Sequence, residues 1–535
     1  MVRRNSGDSV TPPVVVIEGR QEHASYMTQI IPEFAGNPLI EPLPPIWSLE
    51  QVTELLSHYP EYSEEYRNLP AEIRLHMLDN AREFFIPQGI HLEIHISISN
   101  MLRRGYLLRN PLERGFWRKV NDKLDALKEC PPKRLFLQAK ARGFCIVGIG
   151  GIGKSTTVEN ILSLYPQVII HTCYRDQDFI LKQLVWLKIQ CPNDGSIKGL
   201  CLNFFETVDA ILGTNYVQRY GGGRRTVDEL LPNMARVAAL HCLGVLVIDE
   251  IQDLSEAKSG GAARVLNFLV QLENTIGVPY LLIGTPKANQ LFKGEFRQAR
   301  RASEQGDISW QRMTRLDESD ENNEPKISPI WEEFIRALWT YQYVSNSSPL
   351  QADLKHDPLS DALYDQSQGI TAVAVTLYVL AQRRGITSKQ ERVTADIIKS
   401  VAKDSQNQIK GYIEQLRQGS AAIKGGAVTV SDLGKIGPTR PIGSDSGERD
   451  GGNAQREGSP KTEALGNKSE PKSTKKGNSA NAGPNDNKKT KPSSKRSLKR
   501  DDLRNLCQSK GKESKSAPKG HPGKHIKSAT EFLAK

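Results

Sequence analysis

The 535-residue sequence predicts a parallel α/β sheet wrapped by helices, followed by a small all-helical unit. Three observations carry that prediction. Between residues 140 and 310, short apolar and β-branched runs alternate with helical patterns, as expected for strands joined by helical crossovers. A glycine-rich stretch, Gly148-Ile149-Gly150-Gly151-Ile152-Gly153-Lys154-Ser155, sits between one such run and the helix after it. Four apolar residues run directly into an acidic pair, Asp249-Glu250.

Taken in order, residues 1–35 are expected to be flexible. A helical N-terminal region spans 36–135, with "SLEQVTELLSHY", "PAEIRLHMLDNAREFF" and "EIHISISNMLRRGYLL" as its helical patterns. It opens on the proline-punctuated "GNPLIEPLPPIW" (36–47), read as a docking segment, and ends on "RRGYLLRNP" (103–111). The α/β core occupies 136–325. Its strand candidates are 144–148, 167–171, 184–189, 244–249 and 279–284; its helices are placed at 154–164, 196–212, 226–241 and 262–276. A helical lid follows over 326–420. From 421 to 535 the chain is Gly, Ser, Pro, Asn and Lys with few aromatics, too poor in apolar surface to offset ordering entropy, and is expected to be a disordered basic tail. Two stretches there, 496–508 and 525–535, regain apolar periodicity and read as short binding elements.

The net charge of +11 is unevenly placed. Residues 451–535 carry 21 Lys/Arg against 8 Asp/Glu, a net +13, which leaves −2 for the rest. A basic nucleic-acid-binding fold therefore cannot be argued from total charge. The seven cysteines (130, 145, 173, 191, 201, 242, 507) form no Cys-x-x-Cys pair, so reduced thiols are expected and structural zinc is not. No signal peptide and no membrane span are expected, and the setting is read as cytoplasmic.

The glycine stretch fits GxxxxGK[ST] in the strand–loop–helix context that motif requires. Gly148, Gly150, Gly151, Ile152 and Gly153 are expected to curl main-chain N–H groups around phosphate, assisted by the helix N-terminus, with Thr156 at the edge. Lys154 reaches the β- and γ-phosphates, and Ser155 offers its hydroxyl to Mg²⁺. Asp249 holds the metal through water, and Glu250 polarises the attacking water. The cofactors implied are ATP and Mg²⁺. Thr285, closing the apolar run "PYLLIG", has two readings: it senses the γ-phosphate or attacking water, or it caps the helix that follows. Arg297, Arg300 and Arg301 share one predicted helix. Either they form an exposed basic face, or Arg300 or Arg301 reaches a neighbouring subunit's γ-phosphate.

Phosphate loop, Asp-Glu strand, Thr-ended strand, arginine helix and helical lid, in that order, resemble an AAA+ ATPase. "GNPLIEPLPP", "RRGYLLRNP", "QLVWLKIQCPNDGSIKGLCLNFF", "NYVQRYG", "LGVLVIDEIQDLSEAKSGGAARVLNF" and "NTIGVPYLLIGTPKA" narrow the resemblance to TnsC, over about residues 36–416. TnsC is the ATP-dependent regulator of a group of cut-and-paste bacterial transposons. The resemblance implies an ATPase that assembles with itself into a ring or filament on duplex DNA in the ATP state. It implies recruitment by a target selector of the TnsD or TniQ type, contacted by the helical N-terminal region, and engagement of the TnsA and TnsB transposase subunits. The compartment implied is the bacterial cytoplasm, at the nucleoid. Carried onto this chain, the DNA-facing positions are Lys198, Arg224, Arg225 and Thr226, contacting phosphates with little sequence preference; a solvated basic loop is the competing reading. The arginine usual on an AAA+ lid is absent from "QGITAVAV" (368–375). Two other functions stand beside this one: a replication-initiator or helicase-loader ATPase, and an ATP-binding assembly scaffold whose hydrolysis is incidental.

Overall fold

The computed structural model describes residues 16–126, 143–222, 225–256, 261–291, 307–317, 326–405 and 409–418. Arg224, Arg297, Arg300, Arg301 and the tail from 421 lie outside the described residues.

A short strand, β1 (Gln21–His23), precedes the helices α1 (Leu49–Leu56), α2 (Ala71–Met77), α3 (Gly89–Leu107) and α4 (Phe116–Ala126). Next come β2 (Phe144–Gly148), α5 (Lys154–Ser163), β3 (Val168–Tyr174), β4 (Gln177–Leu184), β5 (Trp186–Gln190), α6 (Ile197–Leu212), α7 (Val227–Leu240), β6 (Val245–Asp249), α8 (Gly261–Ile276), β7 (Tyr280–Gly284) and β8 (Ile308–Trp310). Five strands pair in the order β5-β6-β7-β2-β8, every pair parallel. The strand bearing Thr285 at its end thus lies between the phosphate-loop strand and the Asp-Glu strand.

The strands read as unbroken apolar runs because both faces of this sheet are covered. Ile146, Val245, Val247, Leu281 and Ile283 pack on one side with α3 and α5. Their neighbours Cys145, Val147, Leu246, Ile248 and Leu282 pack on the other, with α6, α7 and α8. This is the two-residue alternation of a pleated strand seen from both faces.

One expected strand is placed differently. Residues 167–171 were assigned to the parallel sheet, but Val168–Tyr174 forms a hairpin with Gln177–Leu184 and pairs with β1 in a separate three-stranded sheet. The turn between the hairpin strands uses Arg175 and Asp176, both at positive φ (49° and 62°), a two-residue connection without the glycine that usually announces one. The fifth parallel strand, β8, is three residues long and was not anticipated.

The segment 36–47 packs into the chain's own core. Leu39, Ile40 and Leu43 are fully buried in the chain's own core. The segment and the end of α3 are pinned together: the Asn37 carboxamide donates to Tyr106 O (2.8 Å), Asn110 to Gly36 O (3.1 Å), and Arg103 to Pro44 O (2.5 Å). Arg109 extends the unit to the start of β6, donating to Leu243 O at 2.6 Å.

The C-terminal helices are α9 (Pro329–Thr340), α10 (Pro358–Ser367), α11 (Thr371–Thr387), α12 (Ala395–Ser405) and α13 (Lys410–Arg417). Asp357 caps α10, accepting from Leu359 N and Ser360 N, with Pro358 at the first helical position. Between α10 and α11 the chain turns through Gln368 (φ +52°) and Gly369 (φ +73°). A Cβ on Gly369 would lie 2.0 Å from Met313 O. Gly369→Ala is therefore expected to cost about 1–3 kcal/mol through overpacking and left-handed strain, read by urea denaturation of the full chain.

Candidate nucleotide site

The phosphate loop leaves β2 at Gly148 and enters α5 at Lys154. Gly151 and Gly153 hold φ of +79° and +100°, conformations that glycine reaches without a Cβ penalty. Gly148 is needed for a different reason: a Cβ there would stand 2.5 Å from Ile152 Cδ1 and 2.7 Å from Trp310 O. Ile152 is buried and so contributes packing with its side chain, leaving its main chain for the loop. Gly150 is buried, Ser155 half-buried and Thr156 exposed. The Thr157 hydroxyl, one residue on, is fully buried with no hydrogen-bond partner among the described residues, and nothing in the sequence singles it out.

Lys154 is 8% exposed, and its ammonium donates back to the loop carbonyls of Gly148 (2.8 Å) and Ile149 (2.9 Å). Burial lowers its pKa, and the carboxylates of Glu250 and Asp249 push the other way. The structure thus brings Lys154 into the field of both acidic residues, from elements about 95 positions apart in sequence.

Asp249, 4% exposed, ends β6. Its Oδ1 accepts from Glu250 N at 2.9 Å, and its Oδ2 faces Lys188 Nζ at 2.8 Å. Lys188 also reaches Glu159 Oε1 on α5 at 2.6 Å. Burial opposes charge on Lys188, but Asp249 first and then Glu159 raise its pKa above the ordinary lysine value. This ammonium was missed in the sequence, where a lone charged residue inside the apolar run "LVWLKI" was its signal. Glu250 takes a left-handed backbone (φ +54°). Its Oε2 accepts from the Gln252 carboxamide, whose Oε1 in turn accepts from Thr285 N at 3.0 Å. Thr285 stands at the N-cap of a short 3₁₀ turn, Pro286–Gln290, but its hydroxyl makes no capping bond. That oxygen is buried without a hydrogen-bond partner among the described residues.

The lid meets the loop through Ala372 N, which donates to Gly151 O at 3.0 Å. Stretch 368–375, where a lid arginine was sought, thus reaches the phosphate loop through its main chain. Arg312, two residues past β8, ties this junction with hydrogen bonds to Gln368 O (2.8 Å) and Gln368 Oε1 (3.1 Å).

The proposed DNA-facing residues lie elsewhere. Lys198 is half-buried in the first turn of α6. Arg225 is exposed, 4.0 Å from Glu229, and Thr226 caps α7, its N–H bonded to Glu229 Oε2 at 3.4 Å. The glycine run before Arg225 has a packing use as well, since a Cβ on Gly221 would meet Leu202 Cδ2 at 2.6 Å, one turn from Lys198.

Residues 138–292 match the model of the AAA domain family. The fold is an AAA+ P-loop fold. A matching AAA domain implies a P-loop NTPase domain. No curated protein matches the sequence. Among solved structures, the chain is similar to the Aeropyrum pernix ORC1 protein in complex with DNA (15% identity, TM-score 0.34, 62% of this chain and 85% of that one). It is also similar to a Walker-type ATPase of Pyrococcus abyssi (13%, TM-score 0.30, 62% and 90%) and to a Thermotoga maritima RuvB mutant (14%, TM-score 0.28, 60% and 80%). Among the described residues, no helix is long and apolar enough to cross a membrane.

The groups that could hold a divalent cation are the buried carboxylate of Asp249 and the half-buried hydroxyl of Ser155. That donor set suits Mg²⁺, which keeps several waters and takes phosphate oxygens in preference to an all-protein cage. Lys188 already shares Asp249, so any cation there adds to a carboxylate that is partly neutralised.

Proposed function

We propose that this chain is an ATP-hydrolysing regulator of DNA transposition of the TnsC type. In its ATP state it assembles with itself on target duplex DNA, linking a TnsD- or TniQ-type selector to TnsA and TnsB, and hydrolysis resets the complex. The observation that carries the proposal is the joining of "GNPLIEPLPP" to "RRGYLLRNP". These two motifs distinguish the TnsC resemblance from a general AAA+ one, and here they form a single hydrogen-bonded unit fastened to the start of the Asp-Glu strand. These two segments are what argues against the initiator-type reading.

In this reading Lys154 exchanges its two loop carbonyls for phosphate oxygens, and the main-chain N–H groups of 148–155 cradle the β-phosphate. Ser155 and Asp249 hold the Mg²⁺, which neutralises phosphate charge. Glu250 accepts a hydrogen bond from the attacking water, and the free Thr285 hydroxyl donates to water or γ-phosphate. Arg300 or Arg301 acts on the neighbouring subunit's nucleotide. Lys198, Arg224, Arg225 and Thr226 touch DNA phosphates; with a body of net −2, tight binding comes from repeating a few contacts along the duplex.

The test is electron microscopy and DNA binding of the full chain with ATP, a non-hydrolysable analogue or ADP. Rings or filaments on duplex DNA are expected with the two triphosphates and absent with ADP. DNA binding indifferent to nucleotide, without an oligomer, overturns the proposal.

A further inference from the structure

We infer that Gln252 is a positioning residue that couples the γ-phosphate-facing end of β7 to the water-polarising carboxylate of Glu250. The inference rests on the reading of Glu250 given above. Gln252 lies two residues beyond Glu250 and is 5% exposed. A carboxamide donates from its nitrogen and accepts at its oxygen, and here both ends are used. Nε2 donates to Glu250 Oε2, and Oε1 accepts from Thr285 N at 3.0 Å. The link crosses from the end of β6 to the end of β7, strands paired in register at Ile248–Leu282.

Three further features show that this bridge is built. Gly284 makes room for it: a Cβ there would lie 3.1 Å from Gln252 Oε1 and 2.8 Å from Ile251 Cγ2. Glu250 carries a left-handed backbone (φ +54°), uncommon for a non-glycine residue and kept where the surrounding structure determines it. Thr285 is held by its main chain, which leaves its buried hydroxyl without a protein partner. A shift of Thr285 on meeting phosphate therefore passes through one carboxamide to Glu250. Holding Oε2 leaves Oε1 of Glu250 to accept from water, and fixes which face of the carboxylate is presented.

The test compares Gln252→Ala and Gln252→Glu with Glu250→Gln as reference, in the full-length protein with duplex DNA. It measures phosphate release, the Kd of a fluorescent ATP analogue and the pH–rate profile. Gln252→Ala is expected to lower kcat roughly tenfold or more, as misplacement of a reacting group does, with KM and the analogue's Kd within about threefold. Gln252→Glu keeps the shape but sets two carboxylates face to face. They share a proton, so the acid limb of kcat moves to higher pH, a change that a merely structural role would not produce. An unmoved acid limb in Gln252→Glu overturns the inference, as does wild-type kcat in Gln252→Ala. Should the alanine variant fail to fold, the isosteric glutamate variant decides. If Glu250→Gln itself turns over at the wild-type rate, the reading of Glu250 falls and takes this inference with it. A slow Glu250→Gln beside a fast Gln252→Ala overturns the inference alone.

Discussion

Glu250→Gln is expected to cut ATP turnover by about 10²–10⁴-fold, the range for removing a positioned general base, while ATP binding stays within a few-fold. Gln is the same size as Glu, so the left-handed turn at 250 and the main-chain bond from Glu250 N to Asp249 are undisturbed. The amide oxygen can still accept from Gln252, so the side chain keeps its place. What disappears is the negative charge that draws a proton from water. The phosphate contacts proposed for Lys154 and the loop amides lie apart from residue 250 and are expected to be unchanged, although Lys154 loses one of the two carboxylates that oppose its desolvation. Under the proposed function the variant is trapped in the triphosphate state, so its assemblies on DNA outlast those of the wild type. The checks are a phosphate-release assay, binding of a fluorescent ATP analogue, and the lifetime of DNA-bound oligomers after ATP is added. Wild-type turnover would show that another group polarises the water. Lost turnover with intact target selection would favour the assembly scaffold with incidental hydrolysis.

The parts of this site that were legible in the sequence are those in which a local pattern has one physical meaning. A buried parallel strand must be apolar throughout, and "FCIVG", "GVLVID" and "PYLLIG" became neighbouring strands β2, β6 and β7. A glycine loop before a helix leaves main-chain N–H groups free, and Gly151 and Gly153 have the positive φ this needs. Illegible were contacts set by strand order. Gln252 reads as an ordinary polar residue in a turn until β7 is placed beside β6. Lys188 reads as a flaw in a strand until Asp249 and Glu159 converge on it. The apolar run 36–47 shows no packing partner in the sequence because the groups that cover it, on α3 and at Gln183, are distant in sequence. The 167–171 run was misassigned because β-branched composition does not distinguish a parallel strand from a hairpin, and its turn used Arg-Asp where glycine was awaited.

The second large effect concerns stability. Arg74→Ala is expected to cost about 3 kcal/mol, the low end of the penalty for breaking a buried ion pair, because the Glu391 side chain keeps 22% exposure. Arg74 is on α2, its side chain 5% exposed. Its guanidinium grips both oxygens of Glu391 (2.8 and 3.0 Å) and donates to Leu69 O and Tyr343 O, each at 2.8 Å. Glu391 also accepts from Ser345 N at 3.1 Å. One side chain thus fastens the N-terminal helices to two loops of the C-terminal helical unit, and its loss strands a carboxylate and two carbonyls together. The pH dependence gives an independent measure. The Arg74 hydrogen bond, opposed by burial and aided by Ser345, lowers the Glu391 pKa to about 2 from an ordinary 4.5. A carboxyl depressed on folding contributes stability that is complete above its unfolded pKa. That contribution is lost as pH falls from about 4.5 towards about 2. Urea denaturation of wild type should therefore lose stability across that window, and Arg74→Ala should show a flatter profile there with a lower plateau at neutral pH. Glu391→Gln should flatten the same window while costing less at pH 7, because the amide still accepts from Arg74. Parallel acid profiles for wild type and Arg74→Ala would show that the pair contributes geometry and no net electrostatic stability.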